Sequence, residues 1–161
     1  MNIFVLDYDP KVAAQMHCDK HIVKMIIEVA QMLCTVGRQN GFDTPYRSTH
    51  ARHPCTLWAA ESKSNWDWLI EHGIAMGEEY TRRYGRTHKS SEIIQWCANH
   101  NIGPKVDKGL TPFAKAMPDE YKVDDAVQSY RNYYLGAKAH FAKWKTGAPD
   151  WWKEDSQCIK S

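Results

Sequence analysis

Between Met16 and Ile26 the chain reads MHCDKHIVKMI, which sets two histidines, a cysteine, a carboxylate and two lysines among hydrophobic residues. Three chemistries suit that set. His17 and His21, four residues apart, could hold a metal ion with help from Cys18, Asp19 or the HARHPC stretch that carries His50, His53 and Cys55. Lys20 or Lys24 could form a Schiff base if neighbouring imidazoles lower its pKa. All of these groups together could grip phosphates, which would relieve the crowding of two imidazoles and two ammoniums. The last use needs the fewest assumptions.

The stretch lies in an expected helix with Asp9 as N-cap, Pro10 at the first helical position, Val36 as its last residue and Gly37 as C-cap. Advancing about 100° per residue gathers His17, Lys20, His21, Lys24, Glu28, Gln31 and Thr35 into one polar stripe. Met16, Cys18, Ile22, Val23, Met25, Ile26, Ile27, Val29, Ala30 and Leu33 fill most of the remaining circle, so the helix is expected to be buried on every side but one. Asp19 projects into the apolar arc. A carboxylate there needs an arginine or a hydrogen-bond donor, or else serves acid–base work with a pKa set by burial.

Further helices are expected from Pro54 through CTLWAAES, from a Ser64/Asp67 capping box to Gly85, and from Ser90 or Ser91 through SEIIQWCANH. A last long helix is expected over about Asp124–Lys145, with Val127, Tyr130, Tyr134, Ala137, Phe141 and Trp144 on one face and Arg131, Lys138 and Lys145 on a solvated one. Residues 101–123 read as an ordered loop with one helical turn. Only NIFVL carries a strand signal. The expected fold is therefore all-α: one compact helical bundle over 1–161, with a long buried N-terminal helix and an aromatic C-terminal helix.

The 161 residues are 43% hydrophobic and 25% charged, which fits a folded globular chain rather than a disordered one. A formal net charge of +2 is too small to require a nucleic-acid partner, so local basic clusters must carry that argument. RRYGRTHK supplies Arg82, Arg83, Arg86, His88 and Lys89, either as a helix C-terminus favoured by its dipole or as a phosphate clamp. Five cysteines without a C-x-x-C pair favour a reducing compartment. No run approaches a membrane span and the N-terminus lacks a basic leader, so the expectation is a cytoplasmic protein with no membrane partner. Adjacent aromatics in SYRNYYLG and APDWW cannot all face one core, which leaves Tyr133 and one of Trp151 and Trp152 partly exposed for stacking on bases or for an interface.

In order along the chain, a short extended N-terminus, the basic pair in Lys20-His21-Ile22-Val23-Lys24, the helix start His53-Pro54-Cys55-Thr56-Leu57-Trp58 and an aromatic, basic tail resemble the pyrimidine-dimer DNA glycosylases of the phage endonuclease V type and their bacterial and phage relatives. The likeness covers about residues 1–90, with a looser echo over Tyr130–Trp152. It implies a compact helical enzyme that binds duplex DNA, flips a base and uses no cofactor or metal. The α-amine of the N-terminal residue attacks the sugar C1′, and β-elimination through a Schiff base cleaves the strand. An α-amine suits this because its ordinary pKa of about 7.7–8.0 leaves a neutral fraction at cellular pH.

The resemblance also implies a first-helix glutamate, whose position here matches His21, with Asp19 as the nearest carboxylate. Asparagine is a poor second residue for methionine removal, so the amine is expected on Met1, one residue from the family's position. Met1, Asn2, Asp19, Lys20 and His21 are thus the expected catalytic set. His17, Lys20, Lys24, Arg52, His53, Arg82, Arg83, His88 and Lys89 are the expected phosphate contacts. The expected activity is a DNA glycosylase with abasic-site lyase activity on damaged or modified pyrimidines. The alternatives are a non-catalytic nucleic-acid or nucleotide binder on the same fold and a metal enzyme using His17 and His21.

Overall fold

The computed structural model describes residues 1–152, so Cys158 lies outside the described residues. Among them the regular structure is entirely helical: α1 (Pro10–Met16), α2 (Asp19–Gln39), α3 (Pro54–Glu61), α4 (Lys63–Tyr84), α5 (Lys89–His100), a 3-10 turn at Asp119–Tyr121 and α6 (Ala126–Tyr133), which runs on into a π-helical stretch at Tyr134–Lys138. Helix α2 lies against α3, α4 and α5, and α1 lies along α4. The NIFVL segment forms no strand; Ile3, Phe4, Val5 and Leu6 are buried in irregular extended chain. No helix among the described residues is long and apolar enough to cross a membrane.

The expected first helix is two helices. Asp9 caps α1 by accepting from the Lys11 and Val12 N–H groups, with Pro10 at its first position as the sequence indicates. The chain then leaves helical geometry at His17 and Cys18 without glycine or proline. Partners from far along the chain stabilise the break by taking the carbonyls that α1 leaves unpaired. Arg83 donates to Gln15 O at 2.9 Å and His17 O at 2.8 Å, and Trp144 Nε1 donates to Met16 O at 2.8 Å. The His17 ring lies 2.8 Å from Ala13 O.

Other ends follow local rules with substitutions. Gly85 closes α4 in the left-handed conformation as expected. The Ser64/Asp67 capping box does not form. Asp67 pairs with Lys63, and Asp107 from the distant loop accepts from the Ser64 N–H and both the Ser62 and Ser64 hydroxyls. The last helix stops well short of Lys145. Its buried face, Val127, Tyr130 and Tyr134, is the expected one. Arg131 is not on a solvated face: it donates to Leu6 O and pairs with Asp7. Cys18, Cys34, Cys55 and Cys97 are buried free thiols.

Candidate active site

Helix α2 keeps the polar stripe from Lys20 to Thr35, and its central member is Glu28. The Met1 α-ammonium lies 3.3 Å from Glu28 Oε1, and the Asn2 N–H donates to the same oxygen at 2.8 Å. Lys24 Nζ stands one turn away, 4.0 Å from Oε2, with most of its side chain in solvent. The Glu28 side chain is only 10% exposed, so one buried carboxylate holds the end of the chain.

The N-terminal segment is fixed by its own side chains. Asn2 Oδ1 accepts from the Ile3 and Phe4 N–H groups, and Asn2 Nδ2 donates to Ala116 O at 2.8 Å. Phe4 takes φ 55°, a left-handed conformation that is costly for a phenylalanine and persists only where packing enforces it. That packing is its stack on His21, 4.3 Å between ring centroids. His53 caps α3 by accepting from the Cys55 N–H. Its imidazole is held below the ordinary value by partial burial and by the nearby N-terminal ammonium and His50, with Glu28 opposing them.

The structure thus gathers Met1, Asn2, Lys24 and His53 around Glu28. Arg52, next to His53, and Lys20, two turns before Glu28 on α2, are exposed. Beside the stripe, Ile27, Gln31, Tyr46, Arg47, Ser48 and Thr49 line a groove of about 300 Å³.

Other sequence candidates are engaged elsewhere. Asp19 sits at the first position of α2, where a carboxylate complements the helix dipole; it pairs with Arg83 at 3.1 Å and accepts from the Lys145 N–H. This is the arginine partner that an inward acid requires. Arg83 is buried between Asp19, Glu79 and the α1 carbonyls, which makes it scaffold rather than phosphate clamp. Arg82 pairs with Glu79. His88 caps α5 through the Ser90 N–H, and Lys89 is exposed beside it. His21 is buried with Nδ1 against the Tyr134 hydroxyl. Burial, then the charges of Lys138, Lys24 and Lys20, lower its pKa to about 3, so it is neutral at working pH and out of reach of a substrate proton.

His17 ends α1 instead of joining the stripe, and its two ring nitrogens face Ala13 O and Ile3 O. The pair His17/His21 therefore has no shared coordination face, and among the described residues no group of three or more His, Cys, Asp or Glu is placed to hold a metal.

Glu28 is the residue that sequence reasoning missed as a catalytic candidate. It was visible in the polar stripe at i+4 from Lys24, but matching the helix by its basic pair puts the acid at His21 and overlooks the next two turns. A carboxylate against an α-amine can take a proton from the ammonium, freeing a nucleophile, and return one to a leaving group. A family model described as pyrimidine dimer DNA glycosylase matches residues 1–92, a span that includes Met1, Lys24, Glu28 and His53. No curated protein and no solved structure matches the chain.

Proposed function

Because the chain belongs to the pyrimidine dimer DNA glycosylase family, we propose that it excises damaged pyrimidines from duplex DNA through the α-amine of Met1, and that Glu28 is the carboxylate that moves the protons. The Met1 nitrogen, freed of a proton by Glu28, attacks C1′ of the damaged nucleotide. The C1′–N1 bond breaks, and the base leaves with its bonding pair and takes up the proton that the attacking amine loses. The nitrogen lone pair then breaks the C1′–O4′ bond, O4′ takes the proton held by Glu28, and the opened sugar stays joined to Met1 as a protonated Schiff base. Loss of a C2′ proton to Glu28 then expels the 3′ phosphate, and water releases the unsaturated sugar from the amine.

The observation that carries this reading is the 3.3 Å approach of the Met1 amine to Glu28 Oε1. Lys24 stands beside the pair, and exposed Arg52 follows next to His53; both supply positive charge for the strand's phosphates. Asn2 and the Phe4 turn hold the nucleophile in one position. The same contact favours an enzyme over a passive binder, since phosphate gripping alone gives no use to a buried carboxylate pointed at the chain's end.

Borohydride trapping on duplexes containing a thymine dimer or an abasic site tests the proposal. The expected product is a covalent protein–DNA adduct that peptide mapping assigns to residue 1, and blocking the α-amine abolishes it. An adduct on a lysine side chain, or none on any damaged duplex, rejects the mechanism.

A further inference from the structure

Around the start of α2 the structure collects ammonium groups over aromatic rings. Lys138 Nζ lies 4.7 Å from the Tyr133 ring centroid, 5.8 Å from Phe4 and 6.0 Å from Phe141, and Lys20 Nζ lies 4.8 Å from Phe141. Among the described residues neither lysine has a carboxylate within ion-pair distance, since Asp19 is taken by Arg83 and Glu28 faces Met1 and Lys24. The concentration of positive charge registers on His21, whose imidazole is lowered by burial and then by Lys138, Lys24 and Lys20. Ring faces attract ammonium groups, so they hold these side chains in place while leaving N–H donors for an anion.

Two departures from regular backbone meet at the same place. Phe4 carries the left-handed φ, and Lys138 ends the π-helical stretch Tyr134–Lys138. Both kinds of irregularity cost energy and concentrate where function requires a side chain to be aimed. Here they bring the N-terminal segment and the C-terminal helix to one spot beside the stripe.

We propose that Lys138 and Lys20, seated on Tyr133 and Phe141, form a phosphodiester-binding seat for the DNA strand, built jointly by α2 and by a C-terminal segment outside the family-matched residues 1–92. This rests on the reaction proposed above and adds where the strand lies. Lys20 precedes Glu28 by eight residues on the same face, about 12 Å along the helix. One strand advances about 3.4 Å per nucleotide along the duplex axis. The seat therefore takes a phosphate about two to four nucleotides from the reacting sugar, and the strand runs along the stripe through Lys24.

Binding rather than turnover tests this, so its failure is distinguishable from failure of the amine chemistry. Affinity of the full chain for a duplex carrying a tetrahydrofuran abasic analogue is measured against salt for the unaltered protein, Lys138→Gln, and Lys20→Gln with Lys138→Gln. Lys63→Gln, which removes a partner of Asp67 on α4, is the control. The slope of log affinity against log salt is expected to shrink by about 0.9 for one substitution and about 1.8 for both. Dissociation constants rise about three- to tenfold per lysine near physiological salt, and the control is unchanged.

Neutral methylphosphonates placed singly along the strand should reveal one position, two to four nucleotides from the analogue, where neutralisation weakens the unaltered protein but not Lys138→Gln. Unchanged slopes in folded variants, or identical methylphosphonate profiles, overturn the proposal. Competition by inorganic phosphate or thymidine monophosphate that depends on Lys138, with the duplex slope unaltered, assigns the seat to a free phosphate and overturns it equally.

Discussion

Arg83 Nη1 lies 2.8 Å from the carbonyl of His17 and 3.1 Å from the Asp19 carboxylate, so a single guanidinium ends α1 and anchors the start of α2. Its side chain is fully buried, and Glu79 completes its neutralisation at 2.8 Å. Burial pushes the Glu79 carboxyl up, but the hydrogen bonds and charges of Arg82 and Arg83 outweigh it and hold that carboxyl below the usual range. Arg83→Met leaves Glu79 and Asp19 short of a partner and the Gln15 and His17 carbonyls without their donor. Urea unfolding should show a loss of about 3–5 kcal/mol. A loss under about 1 kcal/mol would mean that the helix break does not depend on this residue.

Glu28→Gln keeps the shape of the side chain and an acceptor for the Asn2 N–H while removing the base. Turnover of dimer-containing DNA should fall about 10²- to 10⁴-fold, the usual share of a positioned acid–base group. Duplex affinity should change little, because the carboxylate faces the chain's end rather than the phosphates. Equal losses in affinity and turnover would recast Glu28 as a structural counter-ion.

How far these features can be read from sequence depends on the distance over which their causes act. Pro10, Pro54 and Gly85 mark helix ends correctly because a fixed φ, a missing N–H or a left-handed cap acts within one turn. The break is set by Arg83, 66 residues from His17, and by Trp144, 128 residues from Met16, and no local signal announces it. The polar stripe of α2 survives because it depends on periodicity alone, whereas the contact that singles out Glu28 is made with the N-terminal segment 26 residues earlier. Lys138 reads as a surface residue in the sequence and is drawn over Tyr133 by the π-helical turn, which no residue type there specifies.

The buried histidines make the fold acid-sensitive. Burial and then the neighbouring His72 and His21 hold His17 well below its ordinary value; burial alone takes His72 down to about 4, against opposing backbone hydrogen bonds. With His21 at about 3, all three have folded-state values below the unfolded value of about 6.5. Between those limits the unfolded chain binds more protons than the folded one, so stability is complete above about pH 6.5 and declines as pH falls towards 4 and below. Each histidine contributes up to about 1.4 kcal/mol per pH unit in that window. Urea midpoints measured from pH 7.5 to pH 4.5 should drop steadily below 6.5, and His72→Gln should flatten the slope. A stability profile level across the window would contradict the burial of these rings.

Asn2 tests whether position alone matters to the nucleophile. Its side chain makes three hydrogen bonds, to the Ile3 and Phe4 N–H groups and to Ala116 O, and its hydrogen bond to Glu28 is made by the backbone N–H. Asn2→Leu, whose side chain is of similar size and, like asparagine, too large to favour methionine removal, therefore leaves the Met1 amine, the carboxylate and the basic groups in the protein but frees the segment that carries Met1. Misplacement of a reacting group by about 1 Å costs on the order of 10²-fold in rate, so the first-order rate of Schiff-base trapping at saturating abasic DNA should fall by about that factor. Duplex affinity should stay within about twofold, since no phosphate contact is assigned to Asn2. Asn2→Asp retains the two acceptor bonds that shape the Phe4 turn but sets its second oxygen against the Ala116 carbonyl, so it should recover only part of the rate. If trapping by Asn2→Leu proceeds at the unaltered rate, the Met1 amine reaches C1′ without a fixed approach, and the ordering of the N-terminal segment has no part in the chemistry.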